Sequence, residues 1–516
     1  MFFWRNTRTL QEADAVRTNR GRGDWKVECR LILLCYVSKD GEEYRMKKES
    51  ANGYSGIKAG IWYTVGNILI KAIPFLTLPI FTRLLTTDEF GIYNTFISYE
   101  AILSILLGLG MSGSVKMAKF DFKEEFNRYV SSVFNLLIKI GIAFLIISNI
   151  IWLFLGNLGW LDRFSMNLLV TYSLAMAVYG IMGCKYVIEG MYIENLIISL
   201  VMTGINVGVS LILCYVGMSS DHGLARITGT AVGGIVFAIF IVFSQGRYHK
   251  LKRYEKANKY ALKLGIPLIP HQLSVSLLAQ CDKIMIQAIV GNSEAGIYGL
   301  AVNFTTVLSV LMTSVDNAWT PWFYTNLERK NYGDLRRVNN MLLIFFMYLT
   351  CGFLLVGSDA IKILSTQDYW ESIYAYIPLT ISIYLNFMYL FSVGIEYYMK
   401  KTGYISASTI VCTVVNIILN SIFIQAGGYL AAAYATCLSK ALLFVLHYVR
   451  SKKLLNEPIV DLKYLLVSLI FVCFIAVIAN FSVNALIVRY LICVLMTAML
   501  VFYFWKQGLL DGFIKE

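Results

Sequence analysis

The chain of 516 residues is 57% hydrophobic and 15% charged, with a mean hydropathy of +0.63, far from the roughly 45–50% apolar and about 25% charged composition of soluble domains. Its formal net charge of +13 does not read as a nucleic-acid surface, because a basic patch of that kind comes with a soluble domain to carry it. The ten cysteines are scattered singly, without a Cys-x-x-Cys pair or a histidine cluster, and read as small buried hydrophobes rather than a disulfide framework or a metal site.

Residues 1–45 mix charges of both signs, and their one apolar run, 31–37, is too short to span a membrane or to form the core of a good signal peptide. Met46-Lys47-Lys48 then offers a basic start ahead of the first long apolar run. The expectation is that Met46 begins the biological chain and that the leader is a translation artefact or a disordered tail; a small cytoplasmic docking segment is the competing reading. From Ile57 onward the sequence repeats one unit, an apolar run of about 20 residues and a short polar break, which matches a hydrocarbon core of about 30 Å. Continuous runs such as VSSVFNLLIKIGIAFLIISNIIWLFLG at 130–156 fit helices, whereas barrel strands alternate over about ten residues.

The predicted fold class is an all-α polytopic membrane protein with about fourteen spans. In chain order they are 57–83, 92–115, 130–156, 165–188, 196–217, 222–244, 261–290, 295–320, 339–357, 371–398, 404–426, 428–449, 464–482 and 485–505. The boundary between the eleventh and twelfth rests on Gly427-Gly428 alone. Basic residues collect in alternate breaks: Lys116, Lys119, Lys123 and Arg128, then the 245–260 linker, then Arg329, Lys330, Arg336 and Arg337, then Arg450, Lys452, Lys453 and Lys463. Since basic loops stay on the cytoplasmic side, both termini are expected in the cytoplasm.

Glu89-Phe90-Gly91-Ile92-Tyr93 returns 205 positions later as Glu294-Ala295-Gly296-Ile297-Tyr298. Each copy joins an odd span to an even one, and an even number of spans separates them, so both lie on the same, predicted outer, side as parallel repeats about an axis along the membrane normal. The plainer reading is a turn at the interface that seats an aromatic among headgroups. The repeat divides the chain into a cytoplasmic leader (1–56), a first six-helix lobe (57–244), a basic cytoplasmic linker (245–260), a second six-helix lobe (261–450) and a terminal helix pair with its tail (451–516). Transporters built this way place their substrate between the halves.

Ionisable groups inside spans are functional candidates because lipid rejects them unless they face protein or water. In the first span Tyr63, Asn67 and Lys71 recur every fourth residue, which puts them on one helical face, and Pro74 with Pro79 should bend the helix beyond them. That face is expected to look into a cavity; the alternative is that Lys71 snorkels or pairs with Glu100. The seventh span carries Gln272, Ser276, Gln280, Lys283 and Gln287 as a stripe, with Asp282 beside it, and Pro267 and Pro270 predict a broken helix near its start. The alternative there is that Asp282 pairs locally with Lys283 or with another helix and merely cements packing. The eighth span adds Asp316, and Lys440 stands in the middle of the twelfth. Arg226 reads as a candidate or as an outer-interface anchor, and Glu396 as a rim partner of Lys400 and Lys401. The cations Lys71, Lys139, Arg226, Lys263, Lys283 and Lys440 outnumber Glu100, Asp282, Asp316 and Glu396, so an anionic cargo is expected.

The opening GIWYTVGNILIKAIPFLTLPIFTRLLTTDEFGIYNTF at 60–96 closely resembles the start of Wzx-type oligosaccharide flippases, the polysaccharide biosynthesis branch of the multidrug, oligosaccharidyl-lipid and polysaccharide exporter superfamily. The shared elements are Trp62, the stretch Leu78-Pro79-Ile80-Phe81-Thr82-Arg83-Leu84-Leu85, and Glu89-Phe90-Gly91-Ile92-Tyr93. The resemblance implies a MATE-like fold in a bacterial cytoplasmic membrane. It implies that an undecaprenyl-diphosphate-linked oligosaccharide crosses from the inner to the outer leaflet by alternating access, for O-antigen, capsule or exopolysaccharide synthesis. It further implies a cationic cavity, coupling to a proton or sodium gradient, no bound cofactor, and a polysaccharide polymerase and chain-length machinery as partners. Arg83 is the candidate that belongs to a shared motif; Lys71, Lys283 and Lys440, with Asn67 and Gln280, are inferred from position, as are Asp282 and Asp316 for ion coupling. A drug or cation antiporter of the same superfamily would want an acidic cavity, a peptidoglycan-precursor flippase shares the diphosphate chemistry, and a membrane glycan polymerase would need a sizeable outer loop.

Overall fold

A computed structural model describes residues 75–156, 161–217, 221–248, 254–455 and 457–506. The leader, Trp62, Tyr63, Asn67 and Lys71 lie outside the described residues. The described elements are α1 (Phe75–Leu84), α2 (Thr87–Gly108), α3 (Met111–Phe122), α4 (Phe126–Leu155), α5 (Arg163–Ile188), α6 (Tyr192–Ile212) and α7 (His222–Tyr248). They continue as α8 (Glu255–Gly265), α9 (Ile269–Ile289), α10 (Asn292–Glu328), α11 (Tyr332–Leu364), α12 (Ser372–Tyr398), α13 (Thr402–Leu454), α14 (Leu462–Phe481) and α15 (Leu486–Lys506). Among the described residues, twelve candidate spans are long and apolar enough to cross a membrane. One of them, α13, has 53 residues, or about 80 Å at 1.5 Å per residue, far more than one crossing needs. Its backbone leaves the helix at Gly427 (φ −141°) and Gly428 (φ +59°), where the sequence placed its boundary, so α13 makes two crossings.

The seventh expected span is broken as its prolines require: α8 ends at Gly265, a short 3-10 turn over Ile266–Leu268 follows, and α9 starts at Ile269. The end of the bundle that holds both copies of the Glu-x-Gly-Ile-Tyr motif is called the motif end below, and the opposite end, with α8, the linker end. Lys263 is an exposed residue of α8, in the candidate span Glu255–Ile289.

The repeated motif organises the motif end. Thr86 caps α2: its side chain accepts from the Glu89 N–H at 3.3 Å, and Glu89 Oε2 accepts from the Thr86 N–H at 2.8 Å, a reciprocal capping box. Glu89 Oε1 also accepts from the first N–H groups of α7, His222 at 2.9 Å and Gly223 at 3.2 Å, so one carboxylate holds two helix starts, where its charge suits both dipoles. Two residues on, Gly91 of α2 lies backbone to backbone on Gly296 of α10. A Cβ on Gly91 would meet the Asn292 carbonyl oxygen at 1.8 Å, and one on Gly296 would meet that of Thr87 at 2.0 Å. The two contacts are mirror statements of each other, each glycine against the residue four before the other, as a local two-fold crossing demands. Small residues permit such close approach where lipid offers no hydrophobic drive.

The other end of α2 is held in the same way. The chain turns at Leu109 and Gly110, both left-handed (φ +44° and +63°), and packs on Gly265: a Cβ on Gly110 would meet the Gly265 carbonyl oxygen, and one on Gly265 that of Leu109, each at 2.4 Å. Thus α2 touches the second half of the chain at both of its ends. Next to the motif-end crossing, the Tyr369 hydroxyl donates to the carbonyls of Leu85 and Thr86 at 3.0 and 2.9 Å, and Thr82 donates to Leu364 at 3.0 Å.

At the linker end α8 docks on α3 and α4. Tyr254 donates to Glu125 at 2.9 Å, Ser132 donates to Asn258 at 2.8 Å, Tyr260 donates to Asp121, and the Arg128 guanidinium lies 4.4 Å from the Tyr254 ring centroid. Outside the membrane, the Tyr254 hydrogen bond, with help from Arg128, holds the Glu125 carboxyl below the usual carboxylate range. The segment expected as a linker is therefore a docked helix over its second part. Beyond the second half, α15 is tied to α11 through Arg489, which is 1% exposed and donates to Asp359 at 2.7 Å and to the Leu355 carbonyl at 2.9 Å.

Candidate functional site

The residues proposed from sequence fall into three groups. Arg83 is exposed at the end of α1, where it donates to the carbonyls of Pro79 (2.7 Å) and Ile363 (3.3 Å), a tie between α1 and α11. Gln280 lies on the seam with α2 and accepts from Ser98 at 3.1 Å, while Ser276 of the same stripe donates to the Ala101 carbonyl at 3.2 Å. Two members of the stripe, Ser276 and Gln280, thus touch α2 while staying partly exposed. Lys71 and Asn67 are outside the described residues.

Asp282, Lys283 and Lys440 form the second group. Asp282 is buried in α9, and three donors converge on its carboxylate: the Asn420 amide at 2.6 Å, the Tyr298 hydroxyl at 2.7 Å, and the Thr436 hydroxyl. Asn416, one turn before Asn420, accepts from Cys281 Sγ at 3.0 Å and from the Asn420 amide at 3.3 Å. Both asparagines are 0% exposed, and the Asn420 side-chain oxygen has no hydrogen-bond partner among the described residues. The break at Gly427-Gly428 lets Asn416 and Asn420, before it, and Thr436 and Lys440, after it, approach Asp282 from two antiparallel segments. The set of carboxylate, amide and hydroxyl oxygens has the chemistry of a hard-cation site. No cluster of three or more His, Cys, Asp or Glu is found among the described residues, which leaves the amide and hydroxyl oxygens as the additional donors.

Lys283 is buried and Lys440 half-buried, and Asp282 is the carboxylate that acts on both ammonium groups. Among the described residues neither lysine closes a direct ion pair, so the neighbourhood formally carries two positive charges against one negative. Lipid or dry protein penalises such an excess, and an anion or water relieves it. The hydrogen bonds of Asp282 run to three other helical segments, which also ties α9 to them as the packing alternative expects.

Asp316 belongs to a third place, toward the linker end of α10. It is half-buried, accepts from Thr320 at 3.0 Å, and lies among the electrostatic neighbours of Tyr324, Tyr389 and Tyr397. Glu100 is buried in α2, and an ion-pair partner for it is absent among the described residues. Lys139 is exposed on α4.

The motif tyrosines are not headgroup aromatics. Tyr298 is 1% exposed and holds Asp282, while its counterpart Tyr93 accepts from the Arg226 guanidinium at 3.3 Å. Arg226 is buried rather than an interface anchor: it lies 3.7 Å from the Phe81 ring centroid and donates to Ser210 at 3.0 Å. Sequence reasoning missed Tyr298, Asn416, Asn420 and Thr436. The signal available was the pair of asparagines four residues apart inside the apolar run VCTVVNIILNSIFI, which one helical face must bury together.

A family described as polysaccharide biosynthesis protein matches residues 57–326. The chain is similar to the Lsg locus putative protein 1 of Haemophilus influenzae, 24% identical over 369 residues, covering 69% of this chain and 88% of that protein. It is similar to the capsular polysaccharide biosynthesis protein CapF of Staphylococcus aureus, 23% identical over 331 residues, covering 60% of this chain and 77% of that protein. Among solved structures, the lipid II flippase MurJ in an inward closed conformation aligns with a TM-score of 0.63 at 15% identity, over 87% of this chain and 98% of MurJ. An inward-facing multidrug resistance MATE family transporter of the MOP superfamily aligns with a TM-score of 0.58 at 13% identity, over 76% and 97%. The fold is therefore all-α, multi-pass and MurJ- or MATE-like.

Proposed function

The chain belongs to the polysaccharide biosynthesis protein family, and from that premise we propose that it is a flippase for a polyprenyl-diphosphate-linked oligosaccharide. It moves the repeat unit from the cytoplasmic to the outer leaflet of a bacterial cytoplasmic membrane, for assembly of a surface polysaccharide by polymerase and chain-length partners. The observation that carries this reading is the pair of membrane-embedded lysines, Lys283 and Lys440, that share the single carboxylate of Asp282. A diphosphate supplies the missing negative charge, and fixed ammonium groups replace the water it loses on leaving the surface. A drug-cation antiporter would be repelled by the same excess. A lipid-linked peptidoglycan precursor offers the same diphosphate, and the genetic test below separates the two by which lipid accumulates.

In this reading the two halves are 57–244 and 261–450, with 245–260 between them and both termini cytoplasmic. Alternating access then requires that one of the α2 crossings open, Gly91 on Gly296 for the outer leaflet or Gly110 on Gly265 for the inner. Lys71, Asn67, Gln280 and Arg83 remain proposed contributors to the passage. Asp282, with the oxygens of Tyr298, Asn416, Asn420 and Thr436, is the proposed seat of a coupling proton or sodium ion, and Asp316 is a second acid on the route.

Deletion of the gene should cause a lipid-linked oligosaccharide to accumulate on the cytoplasmic leaflet, and the wild-type gene should clear it. Lys283→Gln and Lys440→Gln proteins, present at normal levels in the membrane, should each fail to clear it. Full clearance by the double Lys283→Gln, Lys440→Gln protein would overturn the assignment. Asp282→Asn should uncouple flipping from the ion gradient, and full gradient dependence in that variant would remove Asp282 from coupling.

A further inference from the structure

The sequence places Glu396 at the rim beside Lys400 and Lys401, yet Glu396 is 0% exposed, and so is its actual partner, His447. Glu396 Oε1 and His447 Nδ1 lie 2.9 Å apart, joining the last turns of α12 to the far part of α13 at the linker end. The other polar atom of each, Glu396 Oε2 and His447 Nε2, is buried without a hydrogen-bond partner among the described residues. The walls are aromatic: Tyr389 of α12 presents its ring at 4.8 Å and Tyr404, from the start of α13, at 5.8 Å from the imidazole. Tyr389 and Tyr397 on α12 are electrostatic neighbours both of Glu396 and of Asp316 on α10, Tyr389 also of Cys412, while Tyr324 of α10 neighbours Asp316 and Tyr397. Arg450 of α13 stacks over Tyr404 at 5.2 Å, and among the described residues the ion-pair partner of Glu396 is His447.

A pair that served packing alone would be replaced at little cost by two apolar side chains, and leaving two buried polar atoms unpaired is itself unfavourable. What the arrangement does provide is a protonation state that matters. With His447 Nε2 carrying its own proton, one further proton between Nδ1 and Oε1 makes the pair neutral overall, whichever of those two atoms holds it. Removing that shared proton leaves a buried net charge of minus one, and adding another, on Oε2, leaves plus one. Either charge in a buried, aromatic-walled site favours hydration, which here means parting α12 from the second segment of α13.

We propose that Glu396 and His447 form a proton-binding site that seals the linker end of the second half in its neutral state and opens it when a proton is gained or lost. The site is separate from Asp282 and does not depend on what the protein carries. Because the two side chains hold charge of opposite sign, removing them singly must turn the pH response in opposite directions. In the wild type, acidification adds the proton on Oε2 and opens the end. In Glu396→Gln the imidazole has no carboxylate to neutralise it, so the first proton already produces a buried cation and opening occurs at milder acidity. In His447→Gln the lone carboxylate is neutral when protonated, so the end is closed in acid and opens as pH rises.

Hydrogen–deuterium exchange of the full chain in lipid nanodiscs tests this, read in segments 388–401 and 440–455 and corrected for intrinsic chemistry, between about pH 5 and pH 9. Opening driven by one proton changes exchange by up to about tenfold per pH unit. The expected result is opposite slopes for the two single variants and no slope for Glu396→Gln with His447→Gln together. If the double variant does not fold, the two singles decide. Equal elevation of exchange at every pH in both, or a wild-type protein whose two segments ignore pH, would overturn the proposal.

Discussion

Gly91→Ala is the sharpest test of the motif-end crossing. The added carbon would sit 1.8 Å from the Asn292 carbonyl oxygen, against about 3.3 Å for an ordinary carbon–oxygen contact, so α2 and α10 must part by roughly 1.5 Å. Both obstructing groups are helix backbone, and no side-chain rotation relieves the clash. Overpacking of this kind costs about 1–3 kcal/mol. The separation also stretches the Thr87 Oγ1 to Ser293 Oγ contact, now 2.7 Å. Thermal unfolding in detergent should show a lowered midpoint, and a Thr87→Cys, Ser293→Cys pair should cross-link less in the Gly91→Ala background. Gly180 on α5 is the control, since a Cβ there meets nothing within 4 Å and alanine gains helix propensity of up to about 1 kcal/mol. A Gly91→Ala protein with wild-type midpoint and cross-linking yield would refute the crossing.

Two other perturbations follow from the packing. Arg489→Met should destabilise the terminal pair by about 3–5 kcal/mol, discounted because Asp359 is partly exposed, since it strands the Asp359 carboxylate; adding Asp359→Leu should restore most of the loss in the same unfolding assay. At the linker end, the contribution of Glu125 to α8 docking is present above its unfolded pKa and lost as pH falls through its lowered folded value, because its pKa is depressed by Tyr254 and Arg128. Limited proteolysis near residue 254 should therefore accelerate in acid, and Tyr254→Phe should shift the onset to higher pH.

What sequence could reveal divides along physical lines. Spans announce themselves through composition, and the break at Gly427-Gly428 through residues that tolerate a left-handed turn. The repeat was visible because glycine has no substitute where two backbones touch. Helix rotation was the missing quantity. The stripe on α9 was correctly placed on one face, but nothing in the string said that this face meets α2 through Ser98 and Ala101. Glu396 sits only four residues from Lys400, so proximity along the chain suggested a pair that α13 takes away by supplying His447. Asn416 and Asn420 seemed ordinary because their partner, Asp282, lies well over a hundred residues earlier.

The phenol at the fourth shared position of each motif copy has a further consequence. A hydroxyl both gives and receives a hydrogen bond, and here Tyr93 receives one from a guanidinium whereas Tyr298 gives one to a carboxylate. The same aromatic frame therefore accommodates a base in one half of the protein and an acid in the other. Pseudo-symmetry of the backbone does not bind the halves to electrical symmetry, and the amphoteric tyrosine is what frees one from the other.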